Sequence, residues 1–337
     1  MFESKFDVYS TTPQSKDIPR GAYLSRVAEV AQWSEEFGYS GILVYTDNGL
    51  VDPWLVAQRI LETTSTICPL VAVQPIYMHP YTAAKMVATL GYLHSRRVCL
   101  NMLAGGFKTD LAALGDETPH DDRYVRTVEY TQILQHLLGS SDPLTFAGKY
   151  YSVSNLRLTP PLPDDLFPGL LISGSSPAGM AAARELGCTA IRYPQPPEEV
   201  ERVPADDEIG HGVRVGIIAR TNEEEAWRVA HERFPETRRG QLKQQLAMKV
   251  SDSAWHKQIS ELDQAQKNER STYWLGPFNN YQTFCPYLVG SYERVSEMLS
   301  LYLRMGYRTL ILDIPASHEE LEHTRIALEA ASETAGS

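Results

Sequence analysis

Leu170-Leu171-Ile172-Ser173-Gly174-Ser175-Ser176-Pro177-Ala178-Gly179 is a short apolar run that stops at a small, hydroxyl-rich turn and gives way to a helix opening on proline. Strand, turn and helix make one β/α unit, and the chain repeats it. Apolar runs predict strands near 6–11, 41–45, 70–74, 97–103, 169–173, 188–193, 213–219 and 308–313. Amphipathic stretches predict helices at 22–37, 52–65, 81–94, 123–138, 177–186, 197–203, 223–234, 291–305 and 317–331. Nearly every strand is followed by a crossover helix, so the expected fold is α/β, a (β/α)8 TIM barrel with insertions. The doubly wound sheet is the competitor, but its first turn carries a glycine-rich fingerprint where this chain has Thr11-Thr12-Pro13-Gln14.

The 337 residues, 43% hydrophobic, suffice for one barrel domain over 1–337. Three segments exceed ordinary connection lengths: 104–122, 139–168 and 236–289. Within the second, Thr145-Phe146-Ala147-Gly148-Lys149-Tyr150-Tyr151 reads as a hairpin centred on Ala147-Gly148. The third runs from a polar helical stretch into an aromatic loop, which suits a mobile lid over an apolar substrate or a surface packed on a neighbouring subunit.

A net charge of −11 and only short basic doublets, Arg96-Arg97 and Arg238-Arg239, argue against nucleic acid. Cys68, Cys99, Cys188 and Cys285 lack CxxC spacing and read as reduced core thiols. With no leader pattern and no long apolar span, the expectation is a soluble cytoplasmic protein that does not enter a membrane.

In a β/α barrel the chemistry collects at the carboxyl ends of the strands. Thr46-Asp47-Asn48 follow the second run, Gln74, Tyr77 and His79 the third, Asn101 sits in the fourth, Arg192-Tyr193 end the sixth and Asp313 the eighth. Such groups can also simply satisfy loop backbone. At the Ser173–Ser176 turn, free helix N–H groups, the positive end of the dipole and two serine hydroxyls suit a phosphate monoester, although serines before a helix also serve as plain N-caps. His120 and Tyr124 lie four apart on one face as a helix begins, a clamp for one ligand or an Asp N-cap beside an incidental histidine. Arg214 and Arg220 share a strand face, and an inward arginine should meet an anion, while Arg220 near the strand end could be solvated. No HExxH, no GxSxG elbow and no Walker loop occur, so no metal is assigned. A phosphate cradle without a self-sufficient catalytic group points to cofactor chemistry.

These residues resemble the bacterial luciferase-like flavin monooxygenases, and in particular their alkanesulfonate monooxygenase branch, over nearly the whole length. The resemblance is carried by Gly38-Tyr39-Ser40-Gly41, Asp52-Pro53-Trp54-Leu55-Val56-Ala57, Ala83-Ala84 through Ala88-Thr89-Leu90, Asn101-Met102-Leu103-Ala104-Gly105, His120-Asp121-Asp122-Arg123-Tyr124, Phe146-Ala147-Gly148-Lys149 and Gly174-Ser175-Ser176. It implies FMN, reduced by a separate NAD(P)H-dependent flavin reductase, with O2 as co-substrate and a C4a-(hydro)peroxyflavin as oxidant. His120 and Tyr124 would then contact the flavin or its ribityl chain. Gly174, Ser175 and Ser176 would hold its phosphate, and Asn101 and Ala104 would line the isoalloxazine site. Where the sulfonate enzymes carry a cysteine, a strand-seven histidine, a lid arginine and a late tyrosine, this chain has Leu50, Gly216, Tyr281 and Pro315, while their arginine survives as Arg214.

The resulting expectation is a two-component FMN-dependent monooxygenase that hydroxylates, or inserts oxygen in Baeyer–Villiger fashion into, a small organic molecule other than an alkanesulfonate. Arg214, Asn101 and Asp47 are the expected catalytic groups, and Tyr45, Leu50, His79, Tyr193 and Tyr281 the expected substrate and lid residues. Outer helices would pair the barrels as a homodimer or homotetramer. The alternatives are a deazaflavin-dependent dehydrogenase and a flavin-binding protein without catalysis.

Overall fold

The computed structural model describes residues 4–196, 199–200, 202–204, 207–250 and 271–335. Eight parallel strands close into a barrel: β1 (Asp7–Thr11), β2 (Gly41–Val44), β3 (Cys68–Val73), β4 (Cys99–Leu103), β7 (Leu170–Ser173), β8 (Thr189–Arg192), β9 (His211–Arg220) and β12 (Thr309–Leu312). Neighbours pair in chain order, β8 with β9, β9 with β12 and β12 back onto β1. Each predicted strand has a counterpart, because strands enclosed by helices are apolar on both faces and read as continuous runs.

Helices α1 (Tyr23–Glu36), α2 (Pro53–Thr63), α3 (Pro80–His94), α4 (Lys108–Ala113), α5 (His120–Gly139), α6 (Pro177–Leu186), α7 (Glu223–Arg233) and α8 (Arg238–Val250) surround the barrel, followed by Tyr292–Arg304 and His318–Thr334. Proline at the first turn preorganises α2, α3 and α6, and Asp52, His79 and Ser176 cap them by accepting backbone N–H groups. Helix α5 begins at His120 rather than 123, which sets Asp121 and Asp122 in its first turn at the positive dipole end. The predicted helix 197–203 lies partly outside the described residues.

Two apolar cores flank the barrel. One joins β1, β2, β9 and β12 to α1 and the last two helices through Val27, Ile42, Val215, Leu299 and Leu328. The other joins β3, β4, β7 and β8 to α2, α3, α5 and α6 through Leu61, Val87, Leu100, Ile133 and Ile172. Each such fully buried aliphatic side chain stabilises by about 1.5–3 kcal/mol.

The insertions hold more structure than the sequence patterns suggest. In 139–168, β5 (Leu144–Ala147) pairs with β6 (Ser152–Leu156), and the turn falls later than expected, at Gly148–Tyr151. Its position follows from Glu129, whose carboxylate accepts the N–H groups of Lys149, Tyr150 and Tyr151 at 2.7, 2.7 and 3.1 Å. Segment 236–289 begins with the expected polar helix, α8, and its residues 251–270 lie outside the described residues. Its aromatic end is not a loop throughout: β10 (Tyr273–Trp274) and β11 (Tyr287–Ser291) extend the sheet beyond the barrel. The long β9 gives its first half to β12 and its second, Gly216–Arg220, to β11. Tyr287, Leu288 and Val289 are fully buried there, so the portion of the expected lid from 287 onward is sheet.

Candidate active site

The carboxyl ends of the strands open on one cavity that gathers Tyr45 and Asp47 after β2, Asn101 and Ala104 at β4, His120 and Tyr124 on α5, Gly174, Ser175 and Ser176 after β7, Tyr193 after β8 and Arg214 on β9. Eleven of the residues singled out from sequence thus meet in one place. Three do not. Leu50 lines a side pocket that shares Thr46, Asp47 and Gln74 with the cavity, and Tyr281 lines a trench on its opposite flank. His79 is spent as the cap of α3, its Nδ1 accepting the Tyr81 N–H at 3.2 Å.

One wall is a cradle. Tyr124 lies between Gly174 and Gly179, and a Cβ on Gly174 would stand 2.3 Å from its hydroxyl, so only glycine fits the turn. The Tyr124 hydroxyl shares a hydrogen bond with Ser176, and burial raises it above its ordinary value of 10, keeping it protonated and able to donate. Ser176 Oγ also accepts the Gly179 N–H at 3.1 Å, so the N-cap and ligand readings of this serine coexist. Ser175 is different: its Oγ is buried without a partner. A buried, unsatisfied hydroxyl at a helix N-terminus is costly unless an anion takes its hydrogen bond. His120 stacks edge-on against Tyr124 with ring centroids 5.3 Å apart, and its Nδ1 lies 2.7 Å from Asp121. Behind the cradle, Asp116 accepts from Arg126 and Thr118. These bonds outweigh the cost of burying the carboxylate and hold it down at about 2.

The opposite wall carries Arg214, 8% exposed, with its guanidinium 4.6 Å above the Tyr45 ring. Its Nε and Nη2 are buried and unpartnered. A guanidinium in this state presents two hydrogen-bond donors to whatever fills the cavity. On the floor, Ser173 Oγ donates to Asn101 Oδ1 at 2.9 Å, fixing the amide. Asp47 is partly engaged, accepting the Gly49 N–H at 2.7 Å. Across the mouth lies Asp110, whose carboxyl is raised by burial and then by the Asp47 charge.

The position expected to hold a histidine in sulfonate enzymes, Gly216, faces Tyr287 across the β9–β11 ladder, and a Cβ there would meet that ring at 2.2 Å. The space is filled rather than vacated. Tyr287 in turn donates to Asp313 at 2.7 Å, alongside Thr283 at 2.6 Å, so this strand-end acid anchors the added sheet. Arg220 is not solvated: it is buried in an ion pair with Glu320.

Sequence reasoning passes over Phe107 and Asp110 and reads Phe284 only as one aromatic of the 236–289 segment, yet all three line the cavity. The two phenylalanines meet edge-on at 6.4 Å over the mouth. A signal existed at Gly105-Gly106, since Gly105 adopts a left-handed φ of 98° that turns the chain back over the strand end. Among the described residues no group of side chains could hold a metal ion, and no helix is long and apolar enough to cross a membrane.

The luciferase-like monooxygenase family model matches residues 4–309. The 4-(gamma-L-glutamylamino)butanoyl-[BtrI acyl-carrier protein] monooxygenase BtrO of Niallia circulans is 35% identical over 307 residues, covering 89% of each chain. Among solved structures, the long-chain alkane monooxygenase LadA superimposes with a TM-score of 0.70 at 14% identity, over 99% of this chain and 92% of LadA. The oxygenating constituent of 3,6-diketocamphane monooxygenase of Pseudomonas putida, solved with FMN, gives 0.68 at 15% identity, over 98% and 97% of the two chains. The barrel, its strand-end cavity and the match along most of the chain lead to one conclusion: this chain belongs to the luciferase-like monooxygenase family.

Proposed function

We propose that the chain is the oxygenating component of a two-component system, taking reduced FMN from a separate NAD(P)H-dependent reductase and oxygenating an acyl group tethered to a carrier protein. The observation that carries this reading is the pair of orphaned donors in one cavity: the Ser175 hydroxyl on one wall and the Arg214 guanidinium on the other. The cradle fits FMN, with Gly174, Ser175, Ser176, His120 and Tyr124 around the phosphate and ribityl chain and Asn101 and Ala104 beside the ring. Bound reduced flavin supplies the electrons that activate O2. Arg214 steadies the negative charge that develops on oxygen, where a preorganised donor in a dry site is worth most. Asn101 and Asp47 orient the substrate, and Tyr45 and Tyr193 shape its side of the cavity. Phe107 and Phe284 exclude water from the mouth. The substrate class follows the 35% identical relative, which acts on a carrier-bound acyl chain.

We place the enzyme in the cytoplasm, in keeping with four free, buried cysteines. Exposed Leu24, Leu55 and Leu93 on α1, α2 and α3 support pairing as a homodimer or homotetramer, which light scattering on the purified chain tests directly.

The reading is tested by incubating the protein with a flavin reductase, NADH, FMN, ¹⁸O2 and acyl-pantetheine thioesters, then weighing the products. One labelled oxygen atom should enter the product while the other leaves as water. NADH oxidation matched by hydrogen peroxide release alone would overturn it, and reduction of a deazaflavin without oxygen would favour a dehydrogenase.

A further inference from the structure

Beside the cavity runs a second depression, between the loop after β1, the end of α7, the 281–284 loop and the loop after β12. Gln14, Tyr45 and Phe284 line both spaces, so the two share one wall, and Tyr45 is the ring on which Arg214 rests. The cavity thus has a lateral neighbour on the substrate side, away from the Ser175 cradle. We propose that this trench is the entry groove for a 4′-phosphopantetheine arm, the flexible, amide-bearing chain ending in a phosphodiester through which a carrier protein presents an acyl group. The proposal rests on the functional reading above and adds where the arm lies and what recognises it.

Two cations make the chemistry. Exposed Lys16 holds its Nζ 5.7 Å from the Phe284 ring centroid, at the boundary of the two spaces. Arg233 is held from behind, its Nη2 donating to the Ile314 carbonyl at 2.6 Å and its guanidinium resting 5.1 Å from the Phe234 ring centroid. Among the described residues neither makes an ion pair. The trench also holds two carboxylates, Asp17 and Asp313, the second accepting from the Thr283 and Tyr287 hydroxyls, and a third cation, Arg26, which is paired with Glu29. Three cations against two carboxylates leave the trench lining positive by one in a chain of net charge −11, a local exception beside the active cavity that suits a phosphate. The Gln14 and Gln282 side chains add amide groups along the walls, matching the amides of the arm.

The test is calorimetric titration of the full chain with S-acetyl-4′-phosphopantetheine, S-acetyl-pantetheine and S-acetyl-N-acetylcysteamine. Affinity should fall in that order, with the phosphorylated arm about tenfold tighter than pantetheine at low ionic strength and the gap closing with salt. Lys16→Glu should remove most of that gap while FMN affinity stays unchanged, since Lys16 is exposed and remote from the cradle. Equal binding of all three probes, no binding of any, or a Lys16→Glu variant that keeps the full phosphate preference would overturn the proposal. The assay needs no turnover, so arm binding without ¹⁸O transfer would sink the oxygenase reading and spare the groove, and ¹⁸O transfer to acyl thioesters with no phosphate preference in binding would do the reverse.

Discussion

The two halves of the barrel mouth are built in opposite ways. The half that we propose holds the cofactor, around β4, β7, α5 and α6, is assembled from three short stretches, 101–104, 120–124 and 173–176, each at the end of a regular element. Among the buried polar atoms without a partner there, Ser175 Oγ is the one on the turn, where a helix N-terminus would share an anion with it. The half that we propose faces the substrate, around β9, β12, β1 and β2, is completed by pieces far apart in the chain: Gln14, Tyr45, Arg214 and Phe284. Its conspicuous orphan is a charge held in reserve. Where one fold hosts many substrates, constancy is expected in its local units and variation in its inserted loops.

The sharpest way to separate the halves is Arg214→Gln, which removes the cation and keeps a shorter polar side chain. Turnover should fall about 100- to 1000-fold, as when one preorganised donor is lost. FMN affinity should stay within about threefold of the parent by equilibrium titration. Loss of both together would place Arg214 in the cofactor half.

Next in size is Gly216→His, which restores the residue expected of the sulfonate enzymes. Because Tyr287 occupies that space, stability should drop by about 3 kcal/mol in urea unfolding. A variant as stable as the parent would mean that the β11 extension moves aside readily and that the substrate half is softer than described.

Ser175→Ala addresses the other half. Deleting a hydroxyl that binds an anion costs about 1.5 kcal/mol, so FMN affinity should weaken about tenfold while turnover at saturating FMN is preserved. Unchanged affinity would reduce the turn to a helix cap.

The smallest effect concerns acid stability. Asp116 is ordinarily a group of pKa 3.8 held at about 2 in the fold, so its ion pair with Arg126 contributes fully above pH 3.8 and is lost as pH falls through about 2. Asp116→Asn should therefore flatten the acid limb of the melting-temperature profile below pH 4 and leave its shape above pH 5 intact. An unaltered acid limb would detach the pair from the support of α5.

What could be read in advance divides along the same line. The eight barrel strands and the Ser173–Ser176 and His120–Tyr124 clusters were legible because hydrophobic period and helix-start chemistry are local signals. Strand β11 was not: Tyr287-Leu288-Val289 resembles any short apolar run, and only its pairing with Gly216–Ile218 makes it sheet. His79 reads from sequence as a site residue, but its partner, the Tyr81 N–H, lies two residues away and turns it into a cap. Phe284 was visible as an aromatic residue, but its place over the mouth depends on Phe107, 177 positions earlier in the chain. Contacts of that range leave no periodic mark.

The most direct test of the account is to mix the protein anaerobically with reduced FMN, add oxygenated buffer and follow the return of oxidised-flavin absorbance. If the two halves enclose the reduced flavin away from water beside Arg214, that return should lag well behind free reduced FMN, and the lag should shorten in Arg214→Gln while FMN still binds. Reoxidation at the rate of free flavin by a protein that nonetheless binds FMN would contradict it.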